Sequence, residues 1–147
     1  MIYFDQGEDD GMHATREEVE EFLAAFRFAI RFGECRFKGH PEVDRALVEL
    51  GMTRRAALDE ITRLTAMNYS SGPAADHSDP SKDVWVFGQV LEGTELGTVE
   101  VYIKLRLTQP AGAGRAAQGF VWSFHAAERP LRYPFRGGGR GGGRGGG

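Results

Sequence analysis

Apolar residues recur at helical spacing in the first half of the chain and at alternate positions in the second half. The spacing predicts an amphipathic helix over residues 16–33, a short helix that opens at Pro41, and a third helix over residues 54–64. The apolar residues that carry this pattern are Val19, Phe22, Leu23, Phe26 and Ile30 in the first helix and Val43, Leu47, Val48 and Leu50 in the second. In the third helix, Ala57, Leu58, Ile61 and Leu64 are predicted to face inward.

Local capping signals agree with these three helices. Thr15, with Glu18 three residues later, has the pattern of a capping box, and Gly33 suits the end of the first helix. Gly51 closes the second helix, and Thr53 is the predicted N-cap of the third.

The second half alternates apolar and polar residues, which predicts strands over residues 84–91, 99–108 and 119–126. The first two strands are separated by the turn "EGTELG" and are predicted to pair antiparallel. In the third strand, Phe120, Trp122 and Phe124 are predicted to share one face. Helices followed by strands are typical of an α+β fold, with helices packed on one face of a small antiparallel sheet.

The remaining segments are predicted to lack regular structure. The predicted connectors and loops are "ECRFKGH" (34–40), "NYSSGPAADHSDPSKD" (68–83) and "QPAGAGRAAQ" (109–118). We expect a flexible acidic arm over residues 1–14, a single domain over residues 15–135, and a disordered Gly/Arg tail over residues 136–147.

Composition limits the class of protein. A chain of 147 residues can form one domain with a core that needs no disulfide. Its single cysteine, Cys35, excludes an intramolecular disulfide and a four-cysteine zinc site. The start "MIYFDQGEDD" lacks the features of a secretory signal, and no stretch reaches the roughly 18 apolar residues of a membrane-spanning helix. We therefore expect a cytoplasmic protein with no membrane partner.

Charge is distributed unevenly along the chain. The net charge is −3, but residues 1–21 carry −7 and residues 101–147 carry +7. The whole-chain charge argues weakly against a polyanionic partner, whereas the basic last third argues for one.

The stretch "EVYIKLRLT" (100–108) places Tyr102, Lys104 and Arg106 on the polar face of a predicted strand. Alternate residues of a strand stand about 6.6–6.8 Å apart, so these side chains would span roughly 13 Å. Cleavage of RNA without a metal requires a base, a cation for the developing charge and an acid. The alternative is an ordinary strand face whose long side chains cover apolar neighbours.

Other residues are candidates for the same surface. His125, at the end of the last strand, is a candidate for proton transfer or, alternatively, a hydrogen-bonded edge residue. Lys82 closes the loop before the strands and, with Arg129 and Arg132, is a candidate for RNA binding. His77 between two loop aspartates is a weak metal-binding pattern, and neither a metal nor a cofactor is predicted.

Four segments in order, "LGMTRRAALDEITRLTAMNYSSGP", "DVWVFG", "VEVYIKLRL" and "SFHAAERPL", resemble the MqsR-type toxins of bacterial toxin–antitoxin systems. The resemblance covers residues 15–135. It implies a RelE-like α+β fold and a ribosome-independent endoribonuclease that acts on mRNA without a metal. It also implies a cognate antitoxin that binds and restrains the toxin.

The functional residues of that family match this chain only in part. The resemblance places the family's strand tyrosine at Tyr102 and its lysine at Lys104. The family's lysine after the third helix has no match in "NYSSGP". The family's glutamine after the strand tryptophan corresponds to Val86, with Gln89 three residues out of register. Lys82, Arg106 or His125 would have to compensate, or the activity differs or is lost.

The sequence therefore favours the toxin of a type II system, an mRNA interferase whose catalytic residues are Tyr102, Lys104, Arg106 and His125. One alternative is a non-catalytic RNA-binding module or a degenerate toxin that still binds an antitoxin. A second alternative is an interaction protein whose acidic first helix docks a basic partner.

Overall fold

The computed structural model describes residues 13–38, 41–108 and 117–137. The elements in chain order are α1 (Arg16–Phe32), β1 (Glu34–Phe37), α2 (Pro41–Leu50), α3 (Arg54–Thr62), a 3₁₀ turn (Ala66–Asn68), β2 (Tyr69–Ala75), β3 (Asp83–Thr94), β4 (Gly97–Thr108) and β5 (Gln118–Ala126). The fold is α+β, as the sequence predicts.

The helices follow the sequence prediction closely because their ends are encoded locally. The side chain of Thr15 accepts a hydrogen bond from the Glu18 N–H, the Glu18 carboxylate accepts one from the Thr15 N–H, and α1 ends at Gly33. Thr53 caps α3 in the predicted way. Val48, an apolar residue of α2, is 75% exposed.

The five strands form one mixed sheet in the order β1-β5-β4-β3-β2. β1 pairs parallel with β5, and the other neighbouring strands pair antiparallel. The predicted connector over residues 34–40 was wrong, because residues 34–37 form an edge strand. The predicted loop over residues 68–83 was also wrong, because residues 69–75 form the opposite edge strand, β2. Only residues 76–82 remain a loop, and the predicted all-antiparallel sheet is corrected to a mixed one.

The main core lies between the helices and one face of the sheet. Buried side chains of all three helices meet Phe87, Ile103, Leu105 and Phe124 of the central strands. The ring of Phe22 on α1 also stacks on Trp85 of β3, with centroids 4.3 Å apart. Helices therefore cover one face of the sheet, as the sequence predicts.

A bulge in β5 changes which residues share a face. Lys104 pairs with Ser123, but the next residue, Leu105, pairs with Val121, so Trp122 is the extra residue. Phe124 consequently faces the core, whereas Trp122 lies near Arg106 on the other face. The predicted shared face of Phe120, Trp122 and Phe124 was wrong, since strict alternation does not survive a bulge.

The second face of β3 and β4 is covered by the segment after β5. Val86, Tyr102 and Leu131 form a small buried cluster there, and Tyr133 packs against it. The hydroxyl of Tyr133 donates to the Glu100 carboxylate, and Glu100 also accepts the Leu131 N–H at 3.2 Å. We call residues 127–137 the C-terminal strap.

Several sequence predictions fall on other parts of the chain. The predicted tail beyond residue 137, most of the loop over residues 109–118 and residues 1–12 of the predicted arm lie outside the described residues. The last arm residue, Ala14, is buried, and its N–H donates to the Tyr69 hydroxyl at 3.0 Å. Among the described residues, no helix is long and apolar enough to cross a bilayer.

Candidate active site

Lys104 forms a buried ion pair with the loop residue Asp76. Its Nζ lies 3.0 Å from the Asp76 Oδ1, and the two residues are 6% and 3% exposed. The pair joins the middle of β4 to the loop over residues 76–82. The polar face of β4 is therefore covered at the position of Lys104 and is not an ordinary solvated strand face there.

The loop holds Asp76 in place independently of Lys104. Its Oδ2 accepts hydrogen bonds from the Ser78 N–H and hydroxyl, at 3.1 and 2.7 Å, and from the Asp79 N–H at 3.1 Å. Burial raises the pKa of Asp76, but the hydrogen bonds from Ser78 and Lys104 and the Lys104 charge outweigh it. The resulting pKa is about 2, so the carboxylate is ionised at neutral pH.

Tyr102 and His125 pair across β4 and β5, and their rings stack. The ring centroids are 5.0 Å apart and the planes differ by 16°. Tyr102 is only 3% exposed, because it lies under the C-terminal strap, whereas His125 is half-buried. The Tyr102 ring therefore supports the imidazole rather than facing solvent itself.

The His125 side chain has a defined hydrogen bond. Its Nδ1 lies 2.8 Å from the carbonyl oxygen of Ala126. Because a carbonyl oxygen only accepts, Nδ1 is the donor in this contact, and in the neutral ring Nε2 then carries the lone pair. That tautomer is the one a general base requires.

Two cations flank Trp122, the residue of the β5 bulge. The Nζ of Lys38 lies 3.9 Å from the centroid of the Trp122 ring. The guanidinium carbon of Arg106, on the neighbouring strand β4, lies 6.0 Å from the same centroid. The Trp122 N–H also lowers the pKa of Asp76, although within the described chain its Nε1 is buried without a partner at hydrogen-bonding geometry.

These groups surround a pocket of about 190 Å³ beside the edge of β5, beyond the end of its pairing with β1. Lys104 and His125 of the predicted catalytic set line it, together with Lys38, Asp76 and Ser123. Tyr102 lies beneath His125, and Arg106 flanks Trp122 without lining the pocket. Two of the four predicted catalytic residues thus meet in one cavity.

The predicted RNA-binding residues are dispersed. The pKa of Asp79 is lowered mainly by a hydrogen bond from Ser81, and also by the charges of Lys82 and Lys38, which puts both ammonium groups near this loop. Arg129 and Arg132 are exposed on the C-terminal strap. The described residues contain no cluster of three or more His, Cys, Asp or Glu side chains suited to a metal ion.

Gln89 does not replace the glutamine that the family resemblance leads one to expect. Its strand position puts it on the helix-covered face of β3, the face shared by Phe87, and its side-chain oxygen accepts from the Asn68 amide at 3.2 Å. Gln89 therefore does not reach the pocket, because Lys104, which lines the pocket, lies on the opposite face of the sheet.

Sequence reasoning missed Lys38 and the partnership of Asp76. Lys38 follows a strand that was predicted to be a connector, so no register could place it. In the sequence, Asp76 stands out only as part of a loop cluster around His77. The sequence feature that could have indicated this partnership is the single lysine, Lys104, on the polar face of the strand. If another segment buries that lysine, a carboxylate from elsewhere in the chain must pair with it.

Comparison with known proteins found no matching family model, no similar curated protein and no similar solved structure. The chain is an α+β protein with a cavity at the edge of a mixed sheet, lined by the lysines Lys38 and Lys104, the carboxylates Glu42 and Asp76, and His125.

Proposed function

We propose that this chain is a metal-independent endoribonuclease that cuts mRNA, acting as the toxin of a type II toxin–antitoxin system with a RelE-like fold. The observation that carries the proposal is the pocket in which Lys104, His125 and Lys38 meet. These residues come from three separate strands or strand ends, and all three side chains bear groups used in phosphodiester cleavage. The resemblance to MqsR-type toxins supports the choice of mRNA as substrate and of an antitoxin as partner.

The proposed reaction is an internal transfer within the RNA strand. Nε2 of His125 accepts the proton of a 2′-hydroxyl, and the 2′-oxygen attacks the adjacent phosphorus as the bond to the 5′-oxygen breaks. The ammonium groups of Lys104 and Lys38 stabilise the charge on the phosphoryl oxygens. The leaving 5′-oxygen takes up a proton from water, and His125 returns its proton to solvent after the cleavage. The products are a 2′,3′-cyclic phosphate and a 5′-hydroxyl end, and no metal is needed for any of these steps.

The neighbouring aromatic and basic groups suit an RNA strand. Trp122 and Phe120, each 6.0 Å from the Arg106 guanidinium, offer ring faces on which bases stack. Arg106, Lys82, Arg129 and Arg132 supply the positive charge that attracts phosphates. In this proposal Tyr102 positions His125 through the stacked rings and takes part in proton handling.

One observation favours a second candidate, a non-catalytic RNA-binding module. The Lys104 ammonium is buried and already paired with Asp76 at 3.0 Å, which is also the geometry of a purely structural ion pair. This candidate predicts RNA binding that weakens as salt rises, and no new RNA ends.

The decisive experiment incubates the purified full chain with a defined long RNA in EDTA and maps the new ends. We expect discrete cuts by the wild type and at least about 100-fold slower cutting by His125→Gln, the typical loss when a proton-transfer group is removed. His77→Gln is the matched control, because His77 is an exposed histidine of the nearby loop. It should cut like the wild type.

The outcomes separate the two candidates. RNA that is bound but uncut by the folded wild type would establish the binding module. RNA cleavage by His125→Gln at the wild-type rate would show that His125 takes no part in the reaction. Tyr102→Phe keeps the stacked ring and removes only the hydroxyl, so unchanged cutting by this variant would restrict Tyr102 to positioning.

The toxin role has its own test in cells. Induction of the wild-type chain should arrest growth, and induction of His125→Gln to the same protein level should not. Growth arrest by both the wild type and His125→Gln would show that toxicity does not depend on RNA cleavage at this pocket.

A further inference from the structure

Helix α1 presents two exposed aromatic side chains on its outer surface. Phe28 and Phe32 are 53% and 68% exposed, and their ring centroids are 5.0 Å apart. Together with Leu58 of α3 they line a groove of about 680 Å³ between the two helices. Paired phenylalanines on a groove are unusual on a surface that meets only water and typically mark an interaction site.

The charges on the same face of α1 are separated by sign. Glu17, Glu20 and Glu21 lie in its first half, and Arg27 and Arg31 lie in its second half. At 3.6 residues per turn, these positions and Phe28 fall within about 60° of Ala24 around the helix axis. Ala24 is exposed and lies in the middle of α1, so the face has an acidic end, a small centre and a basic, aromatic end.

We propose that two copies of this chain form a symmetric dimer by packing α1 antiparallel against α1, crossing near Ala24. In this arrangement Glu17 and Glu20 of one copy lie opposite Arg31 and Arg27 of the other, and each contact occurs twice because of the two-fold symmetry. The small side chain of Ala24 permits close approach of the helices. Phe28 of each copy then reaches the groove between α1 and α3 of the other.

The charge pattern selects a second copy as the occupant. Glu17 and Arg31 are each seven residues from Ala24, on opposite sides, so an antiparallel copy brings opposite charges together at both ends. A generic acidic ligand would match Arg27, Arg31 and Arg55 but would meet repulsion at the acidic half of α1. In that half, the ion pair of Arg16 with Glu20 at 3.5 Å is about half exposed and therefore easily exchanged.

The dimer does not depend on the proposed nuclease activity. The outer face of α1 is turned away from the core, whereas the candidate pocket lies at the edge of β5 beside α2. The two surfaces share no lining residue, so the failure of either proposal leaves the other standing.

The test measures the mass of the full chain by sedimentation between about 1 and 200 µM, a range that spans weak to moderate dimer dissociation constants. We expect a concentration-dependent dimer in the wild type. Glu17→Arg and Arg31→Glu should each weaken it at least about tenfold, because each brings like charges together twice. Phe28→Ser should weaken it further, and circular dichroism verifies that every variant is folded.

Mixing the two charge-reversal variants is the sharpest control. Each alone has like charges at positions 17 and 31, but an equimolar mixture restores opposite charges at both contacts. We therefore expect a heterodimer close to the wild type in affinity. A wild type that stays monomeric throughout, or a dimer indifferent to Phe28→Ser and to both reversals, would overturn the proposal and leave the groove to a different protein.

Discussion

The buried pair of Lys104 and Asp76 makes the strongest prediction about stability. Removing one partner leaves the other charge in a site that is almost closed to water, 6% exposed for Lys104 and 3% for Asp76. Such losses typically cost about 3–5 kcal/mol of unfolding free energy, whereas removing both charges is close to neutral. We therefore expect Lys104→Met to be strongly destabilising and Asp76→Asn, Lys104→Met to recover most of the loss.

The structure favours the lower end of that range for Lys104→Met. Asp76 keeps three hydrogen bonds from Ser78 and Asp79 after Lys104 is removed, so its charge is not wholly uncompensated. We expect a loss of about 3 kcal/mol for Lys104→Met and within about 1 kcal/mol of the wild type for the double variant. Arg54→Met is the matched control, because both side chains of the Arg54–Asp44 pair, 2.8 Å apart, are more than half exposed, and its loss should leave the stability close to that of the wild type.

Urea denaturation at pH 7, followed by circular dichroism and tryptophan fluorescence, measures Lys104→Met, Asp76→Asn, the double variant and Arg54→Met. A loss for the double variant equal to the sum of the two single losses would show that the pair contributes no coupling, and this would refute the reasoning. The double variant also separates chemistry from folding. If it is stable yet does not cut RNA, Lys104 acts in the reaction and not only in the fold.

Further predictions concern pH, the C-terminal strap and helix capping. Because the pKa of Asp76 is lowered from 3.8 to about 2, its contribution of about 2 kcal/mol is present above pH 4 and is lost as the pH falls to about 2. When the free energy of unfolding is measured as a function of pH, this loss between about pH 4 and about pH 2 should be absent from Asp76→Asn. Gly88→Ala should cost about 1–3 kcal/mol and expose the strap to protease, because a Cβ there would lie 2.5 Å from the Leu131 Cδ1 and still closer to the Tyr133 hydroxyl. An uncleaved strap would contradict this. Thr15→Ala should cost about 1 kcal/mol in urea denaturation, and Thr15→Ser should cost little.

The helices were predictable because their signals are local. Periodicity placed all three, and residues adjacent in sequence, such as Thr15 and Thr53, fix where they begin. The edge strands were not predictable in this way. β1 has four residues, and its partner on β5 lies 84 positions away, as in the hydrogen bond between Gln118 and Glu34. β2 contains Gly72 and Pro73 and two irregularities of register, which give it the composition of a loop.

In the candidate site, too, only the features with a local sequence signal were predictable. Alternation along β4 identified Tyr102, Lys104 and Arg106 as one face, and the register of the sheet keeps them there. Alternation carries no information about what covers that face. The cover consists of Asp76, 28 residues before Lys104, and of the strap that follows β5. The bulge at Trp122 could not be predicted either, because it depends on how β4 and β5 pair and not on the sequence of one strand alone.

The buried ion pair with Asp76 also positions Lys104 for the proposed reaction. An ammonium carries three N–H donors, and the bond to Asp76 uses one of them. Asp76 is fixed by its own loop and stays ionised, so it can hold the Lys104 side chain at the wall of the pocket without being displaced. A phosphodiester entering from the open side, next to Lys38 and His125, would meet an oriented lysine and not a mobile one. Preorganisation of this kind is what stabilises developing charge in an active site, so a buried pair and a catalytic lysine are compatible here.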